Sequence, residues 1–125
     1  MRLSGQALMG YYPTPETVTA LIRERLDFPG TPFAVLDPCA GCGTALAQSV
    51  AGTQARTYGI EPYQGRAEIA RANLDNVLES TLEEARISHA AFSLLWLNPP
   101  YDNEHLEQQE AQDAEIGRAS CRERV

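Results

Sequence analysis

Short continuous apolar runs alternate along this chain with stretches whose apolar residues recur at helical spacing. Val18, Leu21, Ile22 and Leu26 form one such stripe. Thr14, Pro15 and Glu16 read as its start: Thr caps, Pro suits the first turn, and Glu favours the positive end of the helix. Asp27-Phe28-Pro29-Gly30 ends it. Phe33 to Leu36 is too short for a helix and is apolar on both faces, as a buried parallel strand would be. A Gly-rich turn, Asp37 to Gly43, leads into a predicted helix over Thr44 to Ala51. Arg56 to Ile60 reads as a second strand ending at Glu61. Ala67, Ala70, Leu74, Val77 and Leu78 fit a further helix. Asn76 to Ser80 and Arg86 to Ser88 are both candidates for a third strand, and Phe92 to Leu97 is the strand that follows. Strands alternating with helices predict an α/β fold built on a parallel sheet. No repeat or low-complexity linker interrupts the pattern, and the chain turns polar and acidic from Gln108.

The 125 residues suffice for one small domain. The net charge is −7, and all ten basic residues are Arg. The last ten, Ile116 to Val125, have no hydrophobic period and resemble the in-frame translation of a short-read sequencing adapter. Native sequence is therefore expected to stop near Glu115, leaving 1–115 as the protein and 116–125 as a non-native tail. Without the tail's three Arg and one Glu, 7 basic and 16 acidic side chains remain, a net charge of −9. That is a poor footprint for gripping phosphates, so either the substrate is not nucleic acid or its basic track lies in other sequence. No apolar run approaches the ~20 residues of a membrane span, and Met1 to Gly5 lacks the core of a signal peptide. A cytoplasmic protein without a membrane partner is expected.

Cys39 and Cys42 form a lone Cys-x-x-Cys. Zinc would need two more ligands, and His89 and His105 are too isolated to supply them, so no metal is expected. Gly41 and Gly43 between a strand and a helix would let backbone approach a ligand. Glu61 ends the next strand, about 20 residues beyond the turn, where a ribose diol is usually bound. The same residues also fit a tight turn without a ligand and a solvated strand end. Glu79 is the nearest acidic candidate for contacting an adenine ring, although Glu79, Glu83 and Glu84 equally fit a solvated face. Asn98-Pro99-Pro100-Tyr101 closes the last apolar strand, at the edge of an open sheet where ligands bind.

Tyr11-Tyr12-Pro13-Thr14-Pro15, Asp37 to Gly43, Glu61 and Asn98 to Tyr101 together resemble the S-adenosylmethionine-dependent amino-methyltransferases. The likeness is best with the N6-adenine DNA enzymes, and closer still with an uncharacterised prokaryotic methyltransferase-like family. It covers Met1 to about Asn103. It implies a Rossmann-like fold of seven strands ordered 3-2-1-4-5-7-6, of which this chain supplies about four. It further implies S-adenosylmethionine as cofactor. Tyr12, Pro13 and Thr14 would hold its methionine end, and Asp37, Pro38, Ala40, Gly41 and Gly43 would form the loop beneath it. Glu61 would bind its ribose. Asn98 and the Pro99 carbonyl would accept the N–H groups of an exocyclic amine, held by the rigid turn at Pro100. Tyr101 would stack on an extruded base. A C5-cytosine enzyme would need Cys in place of Asn98.

DNA is the expected substrate and partner. RNA-guanine and protein-glutamine enzymes share the Asn-Pro-Pro-Tyr motif, and a non-catalytic cofactor- or partner-binding module is a further alternative. A chain cut after strand four would leave an open apolar edge, with poor solubility and no activity expected.

Overall fold

The computed structural model describes residues 13–99. Seven elements follow one another: α1 (Glu16–Arg23), β1 (Phe33–Asp37), α2 (Thr44–Ser49), β2 (Ala55–Ile60), α3 (Gln64–Asn73), β3 (Asn76–Leu78) and β4 (Leu94–Leu95). The strands form one sheet in the order β3-β2-β1-β4, and every pairing is parallel. β1 opposes β2 from Phe33↔Ala55 to Asp37↔Gly59, and opposes β4 at Val35↔Leu94 and Leu36↔Leu95.

Both faces of β1 are covered, which accounts for its unbroken apolar sequence. On one face Val35 joins Leu46, Val50, Leu74 and Trp96, with Ile22 and Phe28 packed against them. On the other, Leu36 joins Ile60 and Ala85, covered by Leu82, Ile87 and Phe92. The return from β3 to β4 thus serves as the second layer without forming a helix or strand. Arg86 to Ser88, one of the two candidates for the third strand, lies within that return.

Three expectations need correction. Of the predicted stripe Ile22 does turn inward, but Val18 and Leu21 are exposed, and α1 buries Thr19. Arg23 sets this rotation: its Nη1 donates to the Ser49 carbonyl at the end of α2 at 2.7 Å, and its guanidinium lies 5.1 Å from the Phe28 ring centre. The helix over Ala67 to Leu78 stops at Asn73. Asp75 explains the stop, because its Oδ2 accepts the Thr57 N–H at 2.8 Å and its own N–H donates to Thr57 Oγ1 at 2.9 Å. Val77 and Leu78 therefore leave the helix pattern and enter β3, beside Gly59 and Ile60. The last strand is two residues long, not six. Its flanks still hold the line, with Ser93 N–H on the Ala34 carbonyl and Trp96 N–H on the Leu36 carbonyl.

β4 is the edge strand of the described sheet. Leu95 and Leu97 are more than half exposed beside it, over a shallow apolar groove of about 350 Å³ bordered by Leu36, Leu82 and Phe92. No helix among the described residues is long and apolar enough to cross a membrane.

Gly59 sits where three elements converge. A Cβ there would lie 2.7 Å from Leu74 Cδ1 and 2.8 Å from Ala40 Cβ. Gly59→Ala is expected to lower unfolding free energy by roughly 1–3 kcal/mol, whereas Gly30→Ala meets nothing within 4 Å and should be neutral. Urea unfolding of the two variants compares them directly. Equal stability would show that the helix yields to the added methyl.

Candidate active site

Parallel strands bring their carboxyl ends to one edge, so Asp37, Glu61, Glu79 and the segment from Leu97 to Pro99 follow four neighbouring strand ends. The strand order reverses direction between β1 and β4, and ligands of open α/β sheets settle at such a switch point.

The loop after β1 is bound at nearly every residue. Asp37 Oδ1 accepts the Cys39 N–H at 2.9 Å, which turns the chain back. Ala40 N–H donates to the Ile60 carbonyl at 2.9 Å, and Gly43 N–H to the Ala40 carbonyl at 2.9 Å. Asn73 Nδ2 holds the Cys42 carbonyl from α3 at 2.8 Å. Pro38, Ala40, Gly41 and Gly43 are all buried. Gly43 takes φ of +78°, and a Cβ there would meet Leu74 Cγ at 2.9 Å. The positive φ and the packing against the end of α3 already demand glycine at this position.

Glu61 is the centre of the edge. Its Oε2 accepts the Gly41 N–H at 2.9 Å. Its Oε1 accepts the Tyr63 N–H at 3.0 Å, Arg66 Nε at 3.0 Å and Arg66 Nη2 at 2.8 Å. Arg66 also lies 4.9 Å from the Tyr63 ring centre. Sequence reasoning missed this arginine. The available signal was a charged residue on the same face of α3 as the buried Ala67 and Ala70.

Asp37 is buried beside this carboxylate. Burial pushes its carboxyl up to about 7; the Cys39 N–H opposes the rise and the charge of Glu61 adds to it. The Cys39 thiol is pushed up to about 11, by burial first and then by Asp37, Glu61 and Glu83. A thiol held so high is a weak nucleophile and a weak metal ligand at neutral pH. No cluster of three or more metal-binding side chains occurs among the described residues.

Asn98 and Pro99 are exposed after β4. Asn98 Nδ2 donates to Thr14 Oγ1 at 2.8 Å, across 84 positions of sequence. Thr14 was expected to cap α1, but Pro15 occupies the cap position and no side chain caps the helix. The hydroxyl reaches Asn98 instead, which ties the segment before α1 to the segment after β4. Pro13 is exposed beside it. Tyr12, Pro100 and Tyr101 lie outside the described residues. Glu79 is exposed and pairs with Arg71 at 3.5 Å, as a solvated surface residue would.

The chain belongs to an uncharacterised methyltransferase family (DUF6094), whose model matches residues 1–116. Among solved structures it is similar to an RNA methyltransferase from Salinibacter ruber in complex with S-adenosyl-L-homocysteine. That likeness has a TM-score of 0.56 and 24% sequence identity, and covers 81% of this chain and 71% of the other. It is a likeness of fold, and the parallel sheet with alternating helices is the Rossmann-like methyltransferase architecture. No curated protein matches the chain.

The raised carboxyl of Asp37 makes stability depend on pH. The folded state keeps a proton on Asp37 that the unfolded chain has released, so stability falls as pH rises from about 4 to about 7 and levels off above. The full effect is on the order of 4 kcal/mol. Asp37→Asn should flatten this part of the profile in urea unfolding across that range. An unchanged slope would assign the titration elsewhere.

Proposed function

We propose that the protein transfers a methyl group from S-adenosylmethionine to an exocyclic amine, most specifically N6 of adenine in DNA. The observation that carries the reading is the hydrogen bond between Asn98 and Thr14 at the switch point of the sheet. It joins the two segments whose residues resemble the substrate and cofactor motifs of amino-methyltransferases.

The residues present fit the cofactor. Among the described residues Glu61 Oε2 receives a single N–H, from Gly41. A carboxylate oxygen has room for a second donor, which a ribose hydroxyl would supply. Gly41 takes φ of +56° beside it. When bound, S-adenosylmethionine supplies an electrophilic methyl carried on a sulfonium.

The chain's own part is to hold and polarise the amine. An amine conjugated to a base is a poor nucleophile because its lone pair is delocalised into the ring. With Asn98 Nδ2 engaged by Thr14, Asn98 Oδ1 is left to accept an N–H from the substrate. The Pro99 carbonyl would accept the second. Two acceptors localise the nitrogen lone pair and stabilise the positive charge that develops during attack. Tyr101 would stack on the base, and catalysis is then mostly positioning. The acidic net charge of −7 favours a second reading, in which RNA or a protein amide takes the place of DNA.

The test is transfer of a labelled cofactor methyl by the protein expressed from its genomic locus, offered duplex DNA, RNA and protein in parallel. Label recovered as N6-methyladenine in DNA is the expected result. Asn98→Ala should reduce it roughly 100-fold or more while cofactor binding survives. Label in RNA or protein alone would move the reading to the second substrate class. No label in any acceptor would overturn the enzyme reading in favour of a binding module.

A further inference from the structure

We propose that Arg66 is a positioning residue for the cofactor: it occupies one oxygen of Glu61 so that the other is presented to the ribose diol. The inference rests on the cofactor reading above and assigns a role to a residue outside the motifs that suggested it.

The argument is one of donors and acceptors. Nε and Nη2 of Arg66 both fall on Oε1, together with the Tyr63 N–H. Two hydrogen bonds and the ion pair occupy that oxygen. Among the described residues Oε2 receives only the Gly41 N–H, so a hydroxyl is accepted there more readily than at Oε1. The guanidinium is itself held flat by the Tyr63 ring at 4.9 Å. Both charged side chains are almost completely buried, with 9% and 5% of their surface exposed. At such burial a guanidinium fork fixes both the rotation and the charge of its partner.

No other cation among the described residues is paired with this carboxylate. Asp37, whose carboxyl is itself pushed up to about 7 by burial and by the charge of Glu61, stands at the end of the neighbouring strand. Cys39, in the loop after β1, is a neutral thiol with Glu83 facing it from beyond β3. Arg66, from α3, is the one cation paired with Glu61 among the described residues. Without it, the buried carboxylate is left unpaired and free to rotate, and the geometry that leaves Oε2 open is lost.

Calorimetric titration of the full chain with S-adenosylhomocysteine and with its 2′,3′-dideoxy analogue, at one fixed pH, separates this role from simple support of the fold. The wild type should prefer the diol roughly tenfold to a hundredfold. In Arg66→Gln that preference should collapse towards parity while the dideoxy analogue still binds, because nothing holds Glu61 in the rotation that presents Oε2. Arg66→Lys keeps the charge without the fork, so it should restore only part of the preference. A variant that weakens both ligands by one factor shows structural support only and overturns the inference. Wild-type protein that binds both ligands equally overturns it too, while leaving the cofactor reading intact. Wild-type protein that binds neither overturns both.

Discussion

The Glu61 carboxylate lies where the loop after β1, the end of β2 and the start of α3 meet, and its bonds decide how they meet. One oxygen holds the backbone of Gly41, and the other holds the Tyr63 N–H and Arg66. Remove the charge and the loop loses its tie, while α3 is left with a buried cation. The remaining contacts of the loop depend on this placement. Ala40 can reach the Ile60 carbonyl, and Asn73 can reach Cys42, only when the loop is folded back against β2. The same constraint explains Gly59, since Ala40 and Leu74 close over it from two sides.

A second long-range bond completes the site. Asn98 and Thr14 are far apart in sequence, and neither belongs to a helix or strand. Their meeting follows from topology: a parallel sheet delivers the end of β4 to the edge where β1 ends, and α1 packs against α2 on one face of that sheet. The two bonds divide the edge between them. Glu61 orders the part that would face a nucleoside, and Asn98 with Thr14 orders the part that would face an amine.

Much of this was legible in the sequence because it is carried by local pattern. The apolar run at Phe33 to Leu36, the Gly-rich turn and the acid at Glu61 each announce themselves within a few residues. What was misread depends on partners far away in the chain. The rotation of α1 is set by Arg23 reaching Ser49, and the end of α3 by Asp75 reaching Thr57. Val77 and Leu78 fit the helical period and still form a strand. Thr14 looked like a cap and serves as an acceptor for Asn98. The demand that Leu74 places on Gly43 could not be seen from the turn alone. Arg66 carried no motif at all. At the end of α3 a single side chain with a distant partner overrode a local propensity worth a fraction of a kilocalorie.

The central claim is that the loop at Pro38 to Gly43 and the turn at Glu61 to Arg66 act as one unit around a nucleoside. Hydrogen exchange of the full chain, with and without S-adenosylhomocysteine, tests it most directly. The account predicts that amides of both segments, Gly41 and Tyr63 among them, gain protection together while β3 at the far edge of the sheet does not change. Protection confined to one segment, or spread evenly over the whole sheet, would contradict it.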